Sequence, residues 1–294
     1  MSDKPYQHIP ILLKESIDFL NVKEGKAFVD CTLGGGGHTE NIKIQNPKSK
    51  IIGIDMDQAA IQAAKTRLAK YKDIEFVKDN FKNLGKIVKN KVEGILLDLG
   101  LSSHQIDTAQ RGFSLQKEGP LDMRMDQSQK LTAREIINHF HQDKLEKIFR
   151  EFGEERFAHR IAKAIVIKRE AEEITTTLEL KKIIELAIPT WRKRESVTRV
   201  FQALRIAVNQ ELENLKSALH DAIELLKPGG RIVVISYHSL EDRIVKLTFK
   251  QAAQSGKLEI LTKKPLRPSA REISSNPRAK SAKLRAGEKI NHGT

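Results

Sequence analysis

The sequence predicts an α/β protein: a Rossmann-like, doubly wound parallel sheet interrupted by a long helical insert. Three observations carry this. Four short apolar runs in the first hundred residues each end in or beside an aspartate. Helical patterns separate these runs, as a parallel sheet with helical crossovers requires. The alternation then lapses for about a hundred residues and resumes near residue 231.

The elements follow in order. Ala27-Phe28-Val29 runs into Asp30, Ile51-Ile52-Gly53-Ile54 into Asp55, and Gly94-Ile95-Leu96-Leu97 into Asp98, while Ile74-Glu75-Phe76-Val77 stops just short of Asp79. Brief runs of Val, Ile and Leu suit strands buried on both faces. Asp57 is placed to cap a helix whose Ile61, Ala64 and Leu68 share one face. Beyond Ser102 the reading is helical. Thr132 with Glu135, and Thr176 with Glu179, have the spacing of a capping box. Ile183, Ile184, Ala187 and Ile188 form an apolar face that Pro189 ends. An amphipathic helix carrying Leu212, Leu215, Leu219, Ile223 and Leu226 then returns through a Lys227-Pro228-Gly229-Gly230 turn to a strand at 231–235. A last strand is expected at 258–261. Residues 1–101 and 206–294 are therefore expected to form one domain. Residues 102–205 form an inserted helical domain suited to substrate recognition, and a basic tail begins at about 263.

Composition narrows the function. The 294 residues are 39% hydrophobic and 31% charged, with a net charge of +14. No stretch approaches the roughly 20 apolar residues of a membrane span, and the N-terminus does not read as a signal peptide, so a cytoplasmic protein is expected. The single cysteine, Cys31, excludes an internal disulfide and a cysteine-rich zinc site. Between residues 257 and 294 lie ten Lys/Arg and three Asp/Glu, so half of the positive excess sits there. Apolar residues in that stretch are too scattered for a membrane-binding helix, which leaves a phosphate backbone as the expected partner.

The chemistry is expected at the carboxyl edge of the sheet, where open α/β folds bind ligands. The loop Asp30-Cys31-Thr32-Leu33-Gly34-Gly35-Gly36-Gly37-His38 follows the first strand. Its glycines permit tight turns and bring amides near a ligand. A dinucleotide loop reads G-x-G-x-x-G, but here the third position is Thr39. Asp55 is placed for ribose hydroxyls. Asp30 suits an ammonium group and would repel a pyrophosphate. S-adenosyl-L-methionine (AdoMet) therefore fits better than NAD.

Longer blocks make the chain resemble the MraW family of methyltransferases. They include His8-x-Pro10-x-Leu12-Leu13-x-Glu15, the glycine loop, and Asp98-Leu99-Gly100-Leu101-Ser102-Ser103-His104-Gln105-Ile106-Asp107. Gly119-Pro120-Leu121-Asp122-Met123-Arg124-Met125-Asp126, Phe201-Gln202-Ala203-Leu204-Arg205-Ile206 and Ile235-Ser236-Tyr237-His238-Ser239-Leu240-Glu241-Asp242-Arg243 continue it, with further blocks at 111–114, 152–157 and 276–285. One departure is Ser196-Val197-Thr198-Arg199, where the family often has His-Pro-Ala-Thr-Arg. The resemblance implies a class I methyltransferase sheet and AdoMet-dependent methylation of N4 of a cytidine in the decoding centre of 16S rRNA, on the small ribosomal subunit. It also implies that Gly36, Gly37 and His38 contact the methionine end, Asp55 the ribose and Phe81 the adenine, with Asp98 and Gln105 completing the site.

Cytosine N4 is a poor nucleophile until an acceptor draws on its proton. The chain lacks the Asp/Asn-Pro-Pro-Tyr loop of many amino-methyltransferases. Asp122 or Asp126 is expected to accept that proton, and Tyr237 and His238 to orient the base. The competing roles are a pair of the acids with Arg124 and a helix cap at His238. No metal is expected. Two other functions remain at this point: an NAD-dependent oxidoreductase and a non-catalytic RNA-binding protein.

Overall fold

A computed structural model describes residues 10–290; His8 lies outside them. The chain divides into two compact units, residues 1–100 with 212–294 and residues 101–211.

The first unit is built on one seven-stranded sheet. Its strands are β1 (Ala27–Asp30), β2 (Lys50–Asp55), β3 (Ile74–Lys78), β4 (Val92–Asp98), β5 (Leu226–Ser236), β6 (Leu258–Ile260) and β7 (Lys283–Lys289). Their order is β3-β2-β1-β4-β5-β7-β6. The first five strands pair in parallel, while β7 runs antiparallel to both β5 and β6. Strand order reverses between β1 and β4, so Asp30 and Asp98 end adjacent strands at the topological switch point.

Helices α1 (Leu13–Leu20), α2 (Gly37–Gln45), α3 (Gln58–Leu68) and α4 (Leu84–Ile87) belong to the first half of this unit. The second unit holds α5 (Ser103–Asp107), α6 (Ala133–His139), α7 (Gln142–Gly153), α8 (Ala158–Ala171), α9 (Thr177–Ala187) and α10 (Lys193–Asn209). Helix α11 (Glu211–Leu225) leads into β5, and α12 (Ser239–Gln254) and α13 (Ala270–Ser275) complete the chain. Among the described residues, no helix is long and apolar enough to cross a membrane.

Period-two burial along the strands explains how both sheet faces are covered. Ile95, Leu97, Ile232 and Val234 share one core with Leu215, Leu219 and Ile223 of α11 and with Val245 and Phe249 of α12. Leu96, Val233 and Ile235 share another with Ile17 and Leu20 of α1, Ile42 of α2, and Leu284 and Ala286 of β7. Each buried Val, Leu, Ile or Phe side chain among them contributes roughly 1.5–3 kcal/mol. Asp57 caps α3 by accepting from the amide of Ala59 at 3.0 Å, and Ile61, Ala64 and Leu68 are buried. In the second unit, Phe149, Ile161, Ile165, Leu180, Ile184, Val200 and Leu204 bring α7 to α10 around one core. Thr176 and Glu179 form a complete capping box at α9.

Three features differ from the sequence reading. The division falls at residues 101 and 211, not at 102 and 205. The reason is α10, which runs unbroken to Asn209 and stops where Gln210 adopts a left-handed conformation (φ 53°). Ser196 and Val197 are buried inside that helix, so the departure from the family pattern leaves it continuous. Strand β5 begins at Leu226, because the Lys-Pro-Gly-Gly segment stays in the sheet as an irregularity: Val92 pairs with Leu226, and Gly94 next pairs with Arg231. Gly229 accommodates it at φ 74°.

The largest difference is the tail. Residues read as a phosphate-binding extension instead supply β7, which lies between β5 and β6. Arg285 is buried and donates to Asp242 at 2.7 Å; Lys283 meets the same carboxylate at 3.2 Å. Lys289 donates to the carbonyl of Ile223 at 2.9 Å. These cations are committed to the fold. A short strand whose apolar positions alternate with Lys and Arg has too weak a pattern to be read as a sheet interior.

Candidate active site

The site of the first unit grows from the loops after β1, β2, β4 and β5. At β1, Asp30 is almost fully buried and accepts from the Thr39 hydroxyl at 2.8 Å and from the Thr32 amide at 3.2 Å. Thr39, the residue that breaks the dinucleotide pattern, is thus the side chain that holds Asp30. At β2, Asp55 accepts from the Gly34 amide at 2.8 Å and from the Asp57 amide at 2.8 Å. Asp55 therefore ties the glycine loop to the start of α3. At β4, the Asp98 amide donates to the Thr32 hydroxyl at 2.6 Å, and its carboxylate accepts from the Tyr237 hydroxyl at 2.8 Å.

The glycines have a packing role that sequence reasoning missed. Gly36 sits at φ 76°, and a Cβ there would lie 2.9 Å from Leu68 of α3. A Cβ on Gly37 would lie 2.4 Å from Pro10. Both positions need glycine before any ligand is considered. His38, in the first turn of α2, is buried with Nδ1 3.7 Å from an Asp98 oxygen. Phe81 opens a single 3-10 turn (Phe81–Asn83) behind β3, capped by Asn80, and is half-buried against the sheet core.

Tyr237 is set by two contacts. Its amide donates to Glu241 at 2.8 Å, and Gly100, at φ 94°, passes so close that a Cβ would lie 3.1 Å from its ring. Burial and the neighbouring Asp98 carboxylate raise its phenol well above the ordinary range, so it remains a donor. His238 caps α12: its Nδ1 accepts from the Glu241 amide at 3.4 Å, and Glu241 closes the capping box. Of the two roles weighed for His238, the structure displays the cap.

Electrostatics make the edge acidic. Burial raises Asp30 to about 6 and Asp55 to about 6. Burial, reinforced by the charges of Asp30 and Glu241, raises Asp98 to about 7 against the opposing Tyr237 hydrogen bond. The hydrogen-bond partners of all three are amides and hydroxyls. A positively charged ligand at this edge would relieve the cost of holding these carboxylates ionised.

Three predicted residues, Gln105, Asp122 and Asp126, belong to the second unit. Gln105 is buried in α5, where it completes a capping box with Ser102. Asp122 binds Arg124 in a fork, with Oδ1 accepting from Nε at 2.8 Å and Oδ2 from a terminal guanidinium nitrogen at 2.7 Å. Burial pushes the Asp122 carboxyl up, but the Arg124 hydrogen bonds and charge outweigh it and hold the group below the usual range. Asp126 accepts from the Ser128 hydroxyl at 2.8 Å. The structure thus brings Asp30, His38, Asp55, Asp98 and Tyr237 to one sheet edge, while Asp122 serves the loop of its own unit.

Comparison with known proteins adds the lineage. The MraW methylase family pattern matches residues 5–290. A ribosomal RNA small subunit methyltransferase H from Halothermothrix orenii is 48% identical, over 97% of this chain and 99% of its own. Its namesake from Carboxydothermus hydrogenoformans is 47% identical, over 97% and 98%. One from Clostridium botulinum is 45% identical, over 97% and 99%.

Proposed function

The chain belongs to the MraW methylase family, and we propose that it transfers the methyl group of AdoMet to N4 of a cytidine in the decoding centre of 16S rRNA. The coarser activity, AdoMet-dependent methylation of ribosomal RNA, follows from the family and from its relatives' names. The base, the atom and the location are the proposal. The observation that supports its AdoMet part is the set of carboxylates around the glycine loop at the switch point, Asp30 buried and Asp55 and Asp98 part-buried.

AdoMet supplies a methyl group on a positively charged sulfonium, and its ammonium group adds a second cation. Asp30 and Asp98, raised by burial, are the groups such charges would stabilise. Gly36, Gly37 and His38 hold the methionine end. Asp55 receives the ribose hydroxyls, Phe81 offers its ring to the adenine, and Asp98 completes the site of the first unit. An NAD-dependent oxidoreductase loses its support, since Asp30 stands where a pyrophosphate would pass. A non-catalytic RNA binder would have no use for these carboxylates.

The cytidine amino group shares its lone pair with the ring, so its nucleophilicity depends on a hydrogen-bond acceptor. Asp98 suits this better than Asp122. Asp98 titrates near 7 and is oriented by the Tyr237 hydroxyl. Asp122 is neutralised by Arg124 and held too acidic to take a proton. Bound there, AdoMet would supply the methyl group that N4 takes up, and Asp98 would receive the surplus N4 proton. His238 keeps α12 and Tyr237 in register. Positioning supplies much of the remaining acceleration.

The test is incubation of small ribosomal subunits with methyl-labelled AdoMet, followed by nucleoside mass spectrometry. Label in N4-methylcytidine from the decoding centre is expected. Label confined to another nucleoside, or none, refutes the assignment.

A further inference from the structure

Trp191 is the only tryptophan in the chain, and 74% of its surface is exposed. It sits in a single 3-10 turn, Thr190–Arg192, between α9 and α10. Isolated exposed apolar residues are ordinary, but this ring has a particular setting. The Arg192 guanidinium lies 4.6 Å from the ring centroid and covers one face. Residues 189–199 carry Arg192, Lys193, Arg194 and Arg199 against the single acid Glu195, a net charge of +3. Glu195 is occupied by Arg192 and Arg199. Lys193 and Arg194 make no ion pair among the described residues and lie two and three positions beyond Trp191.

An exposed indole backed by arginine and flanked by unpaired cations matches how single-stranded nucleic acid is held: a base stacks on the ring while phosphates lie along the charges. We propose that the turn at Trp191 is a stacking platform for one unpaired base of the RNA substrate, with Lys193 and Arg194 neutralising its flanking phosphates. The idea rests on the rRNA reading above and adds where unpaired RNA is gripped on the inserted unit. A double-stranded helix does not offer a free base face, so the platform selects single strands. An acidic protein surface would use the cations but not the ring, and a membrane would call for a wider apolar face.

Because Trp191 is the sole tryptophan, its emission reports on this turn alone. The full-length protein is titrated with a fluorescein-labelled single-stranded RNA oligonucleotide, and binding is followed separately by anisotropy. Emission from Trp191 should be quenched in step with binding. The same sequence as a duplex, and phosphatidylserine vesicles, should leave it nearly unchanged. Trp191→Ala should weaken single-strand binding roughly 5- to 160-fold, the span of one base–aromatic stack. Trp191→Phe should recover part of the loss, and AdoMet affinity should not change. Replacing Lys193 and Arg194 together with Ala should reduce the slope of log K against log salt by roughly 1.4, two phosphates at about 0.7 each. RNA bound and methylated while Trp191 emission stays constant would overturn this inference and leave the rRNA reading intact. Absence of any RNA binding would sink both. A blue shift on vesicles, without a response to RNA, would reassign the turn to membrane.

Discussion

AdoMet affinity should rise steeply with pH below neutrality, because the cofactor is positively charged and the carboxyls proposed to face it are part-protonated in the free protein. Burial raises Asp30 to about 6 and Asp98 to about 7. If both must be ionised in the complex, the apparent dissociation constant is multiplied by one plus the protonated-to-ionised ratio of each group. At pH 6 the two factors are roughly 2 and 11; at pH 7.5 their product is roughly 1.4. Affinity should therefore improve roughly 16-fold from pH 6 to pH 7.5, about 1.6 kcal/mol. The sign also holds for folding. Carboxyls whose folded pKa is raised favour the folded state fully below their unfolded value near 3.8, and that contribution is lost as pH rises through 6 to 7. Bound AdoMet should restore it. Calorimetry in buffers of differing ionisation enthalpy is the assay, and it should show release of roughly 1.4 protons at pH 6. Asp98→Asn should flatten the profile to the roughly twofold change that Asp30 alone supplies. An affinity constant across this range, with no proton released, would mean that these carboxyls do not face the cofactor's charges.

The remaining predictions concern single residues. Tyr237→Phe removes the hydrogen bond that stabilises ionised Asp98, so the AdoMet binding profile should move to higher pH while the melting temperature changes little. Asp55→Ala should weaken AdoMet binding by roughly 1.5–3 kcal/mol, the range for hydrogen bonds to a charged group; calorimetry on the folded variant decides, and wild-type affinity would remove Asp55 from the site. Asp98→Asn should lower the single-turnover methylation rate by roughly 10²–10⁴-fold at saturating AdoMet. Asp122→Asn should instead lower the melting temperature, because it loosens the Arg124 fork; a loss of rate in a stable Asp122→Asn protein would return the proton-accepting role to Asp122. Arg285→Ala should destabilise by roughly 1.5–3 kcal/mol in urea melts, since the partly buried Asp242 loses its closest donor.

By itself the sequence determined the parallel half of the sheet. Strands that are apolar on both faces and end in aspartate, separated by amphipathic helices, leave few alternatives. Observed β1 to β4 follow that reading to within two residues at either end. Asp30, Asp55 and Asp98 were legible for the same reason, since a residue ending such a strand must lie at the carboxyl edge. The MraW resemblance rests on long contiguous motifs, which a linear reading detects well. Only the tertiary structure decided what depends on partners distant in sequence. Strand β7 is stabilised by pairing with β5 and β6 on either side, and Arg285 is buried because Asp242 of α12 awaits it; neither fact leaves a local pattern. Thr39 looked like a missing glycine until Asp30 was seen to accept its hydroxyl. From the sequence, Asp122 looked able to take a proton, while Asp98 read only as part of the cofactor site. They differ because a guanidinium pairs with one, while burial and neighbouring carboxylates raise the other. A carboxyl's proton affinity is set by the charges and solvent around it, and these are fixed only when the chain has folded.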